Sequence, residues 1–180
     1  MKLKTDEILA DLIKRSKKVQ DTVSGYRMLN EELLNLKPNA DSWSKLECLE
    51  HLNLYGDFYL PEIEGKILQA KRPSWHIFKS GVIGNYFANL MQPNGNETIK
   101  KMKSPQDKNP VKSDLSVATV ERFLKQTEHL LRLLEMAKRV DLTHTKTSIS
   151  ISKMIKLRLG DTLRFYVYHI ERHVAQAERI

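Results

Sequence analysis

The sequence predicts an all-α protein, a four-helix bundle with one long crossover between its second and third helices. Three observations predict it. Apolar residues recur at steps of three and four through four separate segments, Pro and Gly gather between them, and the alternating stretch Ser148-Ile-Ser-Ile-Ser has no matching partner from which to build a sheet.

The first helix reads from Thr5 to about Leu36, with Leu9, Leu12, Val19, Val23 and Tyr26 on its stripe, Thr5 and Asp6 available as caps, and Gly25 as the point where it can break. Pro38 and Asn39-Ala-Asp-Ser then make a turn. Ser44, followed three residues later by Glu47, has the form of a capping box and starts a second helix that runs to about Lys71, with Pro61 inside it as a site for a kink.

Residues 72 to 115 hold Pro73, Pro93, Pro105, Pro110, Gly81, Gly84 and Gly95, which is too long a connection for a hairpin. Because Phe78, Phe87, Leu90 and Met91 fall within it, part should pack, as a short helix from 80 to 91. A crossover of this length lets the third helix run parallel to the second. That third helix takes Asp114 or Ser116 as its cap and carries Val117, Val120, Leu124, Thr127, Leu131 and Leu134 up to Arg139. Residues 140 to 159 read as an ordered loop, and the last helix runs from near Gly160-Asp161-Thr162 to the chain end.

At 180 residues and 41% hydrophobic, one domain over 1–180 is expected. No run approaches the roughly 18 apolar residues of a bilayer span, and the start leads into an amphipathic helix without an apolar signal core, so a soluble, cytoplasmic protein is expected. Cys48 stands alone, which excludes an intrachain disulfide. It reads as a small buried hydrophobe. The net charge of +8 raises nucleic acid, yet Lys100, Lys101, Lys103, Lys108 and Lys112 gather in a Pro-punctuated segment without aromatics to stack on bases. A solvated loop is the reading, and no nucleic-acid or membrane partner is expected.

The histidines carry the chemistry. At about 100° per residue, Arg164, Glu171, Arg172, Glu178 and Arg179 define a solvent arc on the last helix, and Leu163, Tyr166, Val167, Ile170 and Val174 a buried one. His169 and His173 fall inside the buried arc, four residues apart, where two imidazoles can converge on one ion. On the second helix Glu50, Asp57 and Glu64 recur every seven residues and mark the wet side, which leaves His51 inward beside Leu54, Tyr55 and Phe58. His76, His129 and His144 read as surface residues.

The segment Trp43-Ser-Lys-Leu-Glu-Cys-Leu-Glu-His51-Leu, followed by Leu159-Gly-Asp-Thr-Leu-Arg-Phe-Tyr-Val-Tyr-His169-Ile-Glu-Arg-His173-Val-Ala-Gln176, resembles the DinB-like (YfiT-like) superfamily. The resemblance implies an up-down-down-up four-helix bundle and a metal triad of His51, His169 and His173. It further implies a metal-dependent thiol S-transferase or hydrolase acting on a small molecule, a low-molecular-weight thiol such as bacillithiol as partner, and a homodimer.

Three neutral imidazoles leave an ion at least one open position, as in a catalytic site, where a bound water or thiolate would be activated. Zinc is the first expectation, with nickel or iron as alternatives. Glu47, one turn before His51, and Gln176, bordering His169 on the wheel, are candidates to orient the ligands, and Tyr55 or Tyr166 could offer a hydroxyl to substrate. The competing expectation is a helical bundle that holds a metal or ligand without turnover.

Overall fold

A computed structural model of the chain describes residues 1–93, 104–111 and 115–180. Gly95, Lys100, Lys101, Lys103, Lys112 and Asp114 lie outside the described residues. Among those described, the chain is mostly helical, with six α-helices and two small sheets. In chain order these are β1 (Lys2–Lys4), α1 (Thr5–Ser24), α2 (Glu31–Asn35), α3 (Lys45–Leu68), β2 (Ile77–Lys79) and α4 (Val82–Met91). They are followed by α5 (Val117–Ala137), β3 (Lys146–Ile149), β4 (Ser152–Arg158) and α6 (Leu159–Ala177).

Local chemistry sets the helix limits. The first helix ends at Ser24, well short of Leu36, because Gly25–Met28 tighten into a 3-10 turn and Asn30 starts α2 afresh, its side chain accepting from the Leu33 N–H. The Ser44 hydroxyl accepts from the Glu47 N–H at 3.2 Å while the Glu47 carboxylate accepts from the Ser44 N–H at 2.9 Å, so the capping box starts α3 in full. The helix continues through Pro61 to Leu68. Ser116 caps α5 by accepting from the Ala118 N–H.

Four long helices carry the core. α1 and α3 each pack against both α5 and α6, and buried Leu9, Leu12, Leu49, Ile63, Leu133 and Leu163 lie in the shared interior. The face read as wet on α3 borders α5, with Asp57 exposed and Glu50 largely covered. Arg122 reaches Glu50 at 3.0 Å and also Asp57, and His129 lies 3.3 Å from Glu64, so that carboxylate row is matched by bases across the interface.

The loop expected over 140–159 is a hairpin. β3 and β4 pair antiparallel, with Lys146 opposite Arg158 and Thr147 opposite Leu157, and the register shifts between Ser148 and Ile149. The serine-isoleucine alternation crosses the turn, so its partner is the next segment of chain, where Lys and Arg at the ends hide the pattern. A second small sheet joins β1 to β2, with Leu3 opposite buried Phe78. Among the described residues no helix is long and apolar enough to cross a membrane.

The short helix expected from 80 to 91 forms as α4 and lies on α6. Gly84 permits the approach, since a Cβ there would stand 2.5 Å from the Asp161 side chain. Asp161 accepts from the Gly81 N–H at 2.8 Å and from the Ser80 hydroxyl, fixing the start of α4. The same contacts bury a charged residue of α6. Arg164, assigned by the wheel to solvent, is only 3% exposed, and its guanidinium donates to Asn85 at 3.1 Å and Asn89 at 3.2 Å with Asp161 at 3.5 Å. A wheel drawn for one helix cannot see a second helix laid across its polar face.

Candidate metal centre

α3 and α6 bring the three inward histidines together. His51 stands two turns into α3, held at that depth by the capping box, and His169 and His173 are one turn apart on α6. His51 and His169 are each 3% exposed and His173 is half-buried. One ring nitrogen from each falls within 4.8 Å of the other two, a grouping that could hold a metal ion.

Hydrogen bonds choose the tautomers. His51 Nδ1 lies 2.7 Å from the carbonyl oxygen of Lys108, which can only accept, so Nδ1 carries the proton and Nε2 offers a lone pair. His173 Nδ1 lies 3.0 Å from Gln176 Oε1 and is fixed the same way. The His51 Nε2 to His169 Nε2 separation is 3.3 Å. For ligands about 2.05 Å from a tetrahedral ion, the ligand-to-ligand edge is about 3.3 Å, so this spacing fits two nitrogens on one ion. His169 Nδ1 is buried with no partner among the described residues.

Burial also sets the charge. It lowers His51 to about 4, opposed in part by the hydrogen bond to Lys108, and lowers His173 to about 3, with His51 adding to the shift. His169 is pushed well below its ordinary value by burial and then by its two histidine neighbours. All three are neutral at pH 7, the form in which imidazole binds a metal.

The remaining candidates separate cleanly. Glu47 gives one carboxylate oxygen to the Ser44 N–H and the other to Lys37 Nζ at 2.7 Å, so it serves the helix cap rather than orienting His51. Gln176 holds His173, one turn from the ring the wheel suggested. Tyr55 packs against His169 with ring centroids 4.5 Å apart, and burial raises its hydroxyl to about 12. Tyr166 is buried beside Tyr59. His76 and His144 are exposed, and His144 bonds Asp141.

Two partners of the site escaped sequence reasoning. The Lys108 carbonyl comes from a loop far along the chain, and backbone acceptors leave no signature in sequence. Trp43 lies over His51 at 4.8 Å and His173 at 5.8 Å; it stands just before the Ser44 cap, outside α3, where a helix wheel does not place it, and its only signal is its place at the head of the segment that carries the family resemblance. Lys108 Nζ pairs with Asp107, which accounts for the described member of the lysine-rich segment.

The cluster sits in the wall of a cavity of about 710 Å³, also lined by Trp43, Tyr55, Phe87, Phe165, Arg172 and Gln176. The family model of the DinB superfamily matches residues 20–177, which takes in all three histidines, Trp43 and Gln176. The chain belongs to the DinB superfamily. No curated protein and no solved structure matches it. Within this DinB-superfamily chain the span begins inside α1 and ends at the last residue of α6, so it includes every long helix that shapes the site.

Proposed function

We propose that this DinB-superfamily protein is a divalent-metal-dependent enzyme of the thiol S-transferase or hydrolase type, acting on a small molecule at His51, His169 and His173. The long helices α1, α3, α5 and α6 are taken as the up-down-down-up bundle of that reading. The observation that carries it is the meeting of three neutral imidazoles, those of His51 and His173 with their tautomers fixed, in the wall of a ligand-sized cavity.

An ion held by three neutral imidazoles is a Lewis acid with an open position, able to activate a thiol or a water; zinc is the first choice, nickel or iron the others. The protein's own groups do the rest. Lys108 and Gln176 hold the rings of His51 and His173 with their Nε2 atoms free. Trp43 and Tyr55 cover His51 and His169 and keep water from them. Tyr55 keeps its proton at neutral pH and so acts toward a substrate as a hydrogen-bond donor.

A low-molecular-weight thiol is the co-substrate this reading favours. The test is conjugation of a thiol to 1-chloro-2,4-dinitrobenzene by the zinc-loaded protein. Metal-dependent turnover lost in His173→Ala supports it; metal binding without turnover of either a thiol or an ester substrate overturns it.

One observation favours a binding protein without turnover. Among the described residues lining the cavity, Asp41 is the sole carboxylate side chain, and it is exposed, so none of these residues sets a carboxylate beside the histidines to act as a general base.

A further inference from the structure

The cavity has a second end, and its chemistry differs from that of the histidines. α4 turns Phe87 and Leu90 into it and α6 turns Phe165, all three large apolar side chains left half-exposed. Met91, Ile149 and Leu157, from α4, β3 and β4, complete the wall and are buried. Half-exposed aromatics on a concave surface leave apolar area uncovered, which a ligand can cover.

The rings form a continuous series. Phe165 stacks on His169 with centroids 5.7 Å apart and planes 10° from parallel. Phe87 meets Phe165 edge-on at 6.5 Å, and Tyr59 meets it at 5.7 Å. The series therefore runs from the metal cluster into the apolar end, and such a set of faces and edges suits a flat ring better than a flexible chain. No carboxylate belongs to this wall among the described residues, so nothing there would balance a cationic ligand. Among the described residues the charged lining side chains are Arg172, Arg179 and Asp41.

We infer that the chamber walled by Phe87, Leu90 and Phe165 binds an uncharged planar aromatic group, the apolar part of the small molecule whose reactive atom is presented to the histidines. The inference rests on the reading of the cluster as a reactive centre and adds the class of substrate. The α4 wall is held by the Asp161 and Arg164 contacts, so the chamber is a built feature of the fold rather than a gap between loops.

The test titrates N-phenyl-1-naphthylamine, a neutral dye that brightens in apolar surroundings, into the full metal-free chain. Saturable binding of one dye per chain is expected, weakened at least tenfold in both Leu90→Arg and Phe87→Glu. Both positions are half-exposed on α4, and unchanged helical circular dichroism checks the fold. In the unmodified protein, dye protons should show nuclear Overhauser contacts to the Phe165 ring, a readout that needs no variant. Absence of saturable binding overturns the inference, as does equal binding by both variants with no contact to Phe165, which would place the dye on the exposed Val82 and Tyr86 side of α4. Because the dye is read without metal, failure of zinc to bind in the same preparation would count against the histidine centre and not against the chamber.

Discussion

His51 Nε2 lies 3.3 Å from His169 Nε2, although the two residues stand on different helices and 118 positions apart. Both rings are neutral at pH 7, and His51 already spends its one proton on the Lys108 carbonyl. In the metal-free protein the His169 Nε2 proton then bridges the pair, and His169 Nδ1 has no partner among the described residues. Replacing that proton by an ion is what the site is arranged to accept.

Gln176→Leu should weaken metal binding by roughly 10–100-fold with little change in fold, because it removes the acceptor that fixes His173 and nothing from the core. Calorimetric titration with zinc reads the affinity. Gln176→Glu, which keeps an acceptor, should restore most of it. Equal affinity in the leucine variant would remove Gln176 from the site.

Acid should destabilise the metal-free protein in a defined window. The folded values of the histidines lie below the ordinary 6.5, about 4 for His51 and about 3 for His173, so below pH 6.5 the unfolded chain binds more protons than the folded one. Stability contributed by the neutral rings is complete above pH 6.5 and is lost as pH falls through the folded values. Each ring costs up to about 2 kcal/mol by pH 5. Urea midpoints measured from pH 7.5 to 5 should fall, and His173→Ala should flatten the decline by about one proton. An identical slope in the variant contradicts the assignment.

Arg164→Leu should lower stability by about 3–5 kcal/mol, since it leaves buried Asp161 facing Ser80 and Gly81 without its cation and breaks the bonds to Asn85 and Asn89. A melting temperature lower by roughly 10 °C is expected. A change within about 2 °C would return Arg164 to the solvent-facing role that its helix wheel suggests.

Zinc should alter the emission of Trp43, whose ring lies against both His51 and His173, and leave Trp75 unaffected, its ring being exposed beside His76. A zinc titration of Trp75→Phe should keep the full change, and Trp43→Phe should abolish it. A response that follows Trp75 would put the ion elsewhere.

Much of this was legible in the sequence because it is local. The capping box of Ser44 and Glu47, the break at Gly25 and the inward placing of His51, His169 and His173 each follow from periodicity within one segment. What was missed depends on pairs remote in sequence. Leu3 meets Phe78, the Lys108 carbonyl meets His51, and Arg164 is buried only because α4 returns across α6. The β3–β4 hairpin is local, yet its register shift at Ser148 and its charged ends conceal the alternation that marks a strand. Glu47 shows the limit of adjacency: it stands one turn from His51, and the cap and Lys37 take both of its oxygens.

The most direct test of the central claim is metal stoichiometry in untagged protein purified without chelator, by elemental analysis and by zinc titration. One divalent ion per chain is predicted, falling to none in the triple variant His51→Ala, His169→Ala, His173→Ala. Absence of any tightly bound ion after saturation with zinc, nickel and iron in turn, or equal binding by the triple variant, would contradict it.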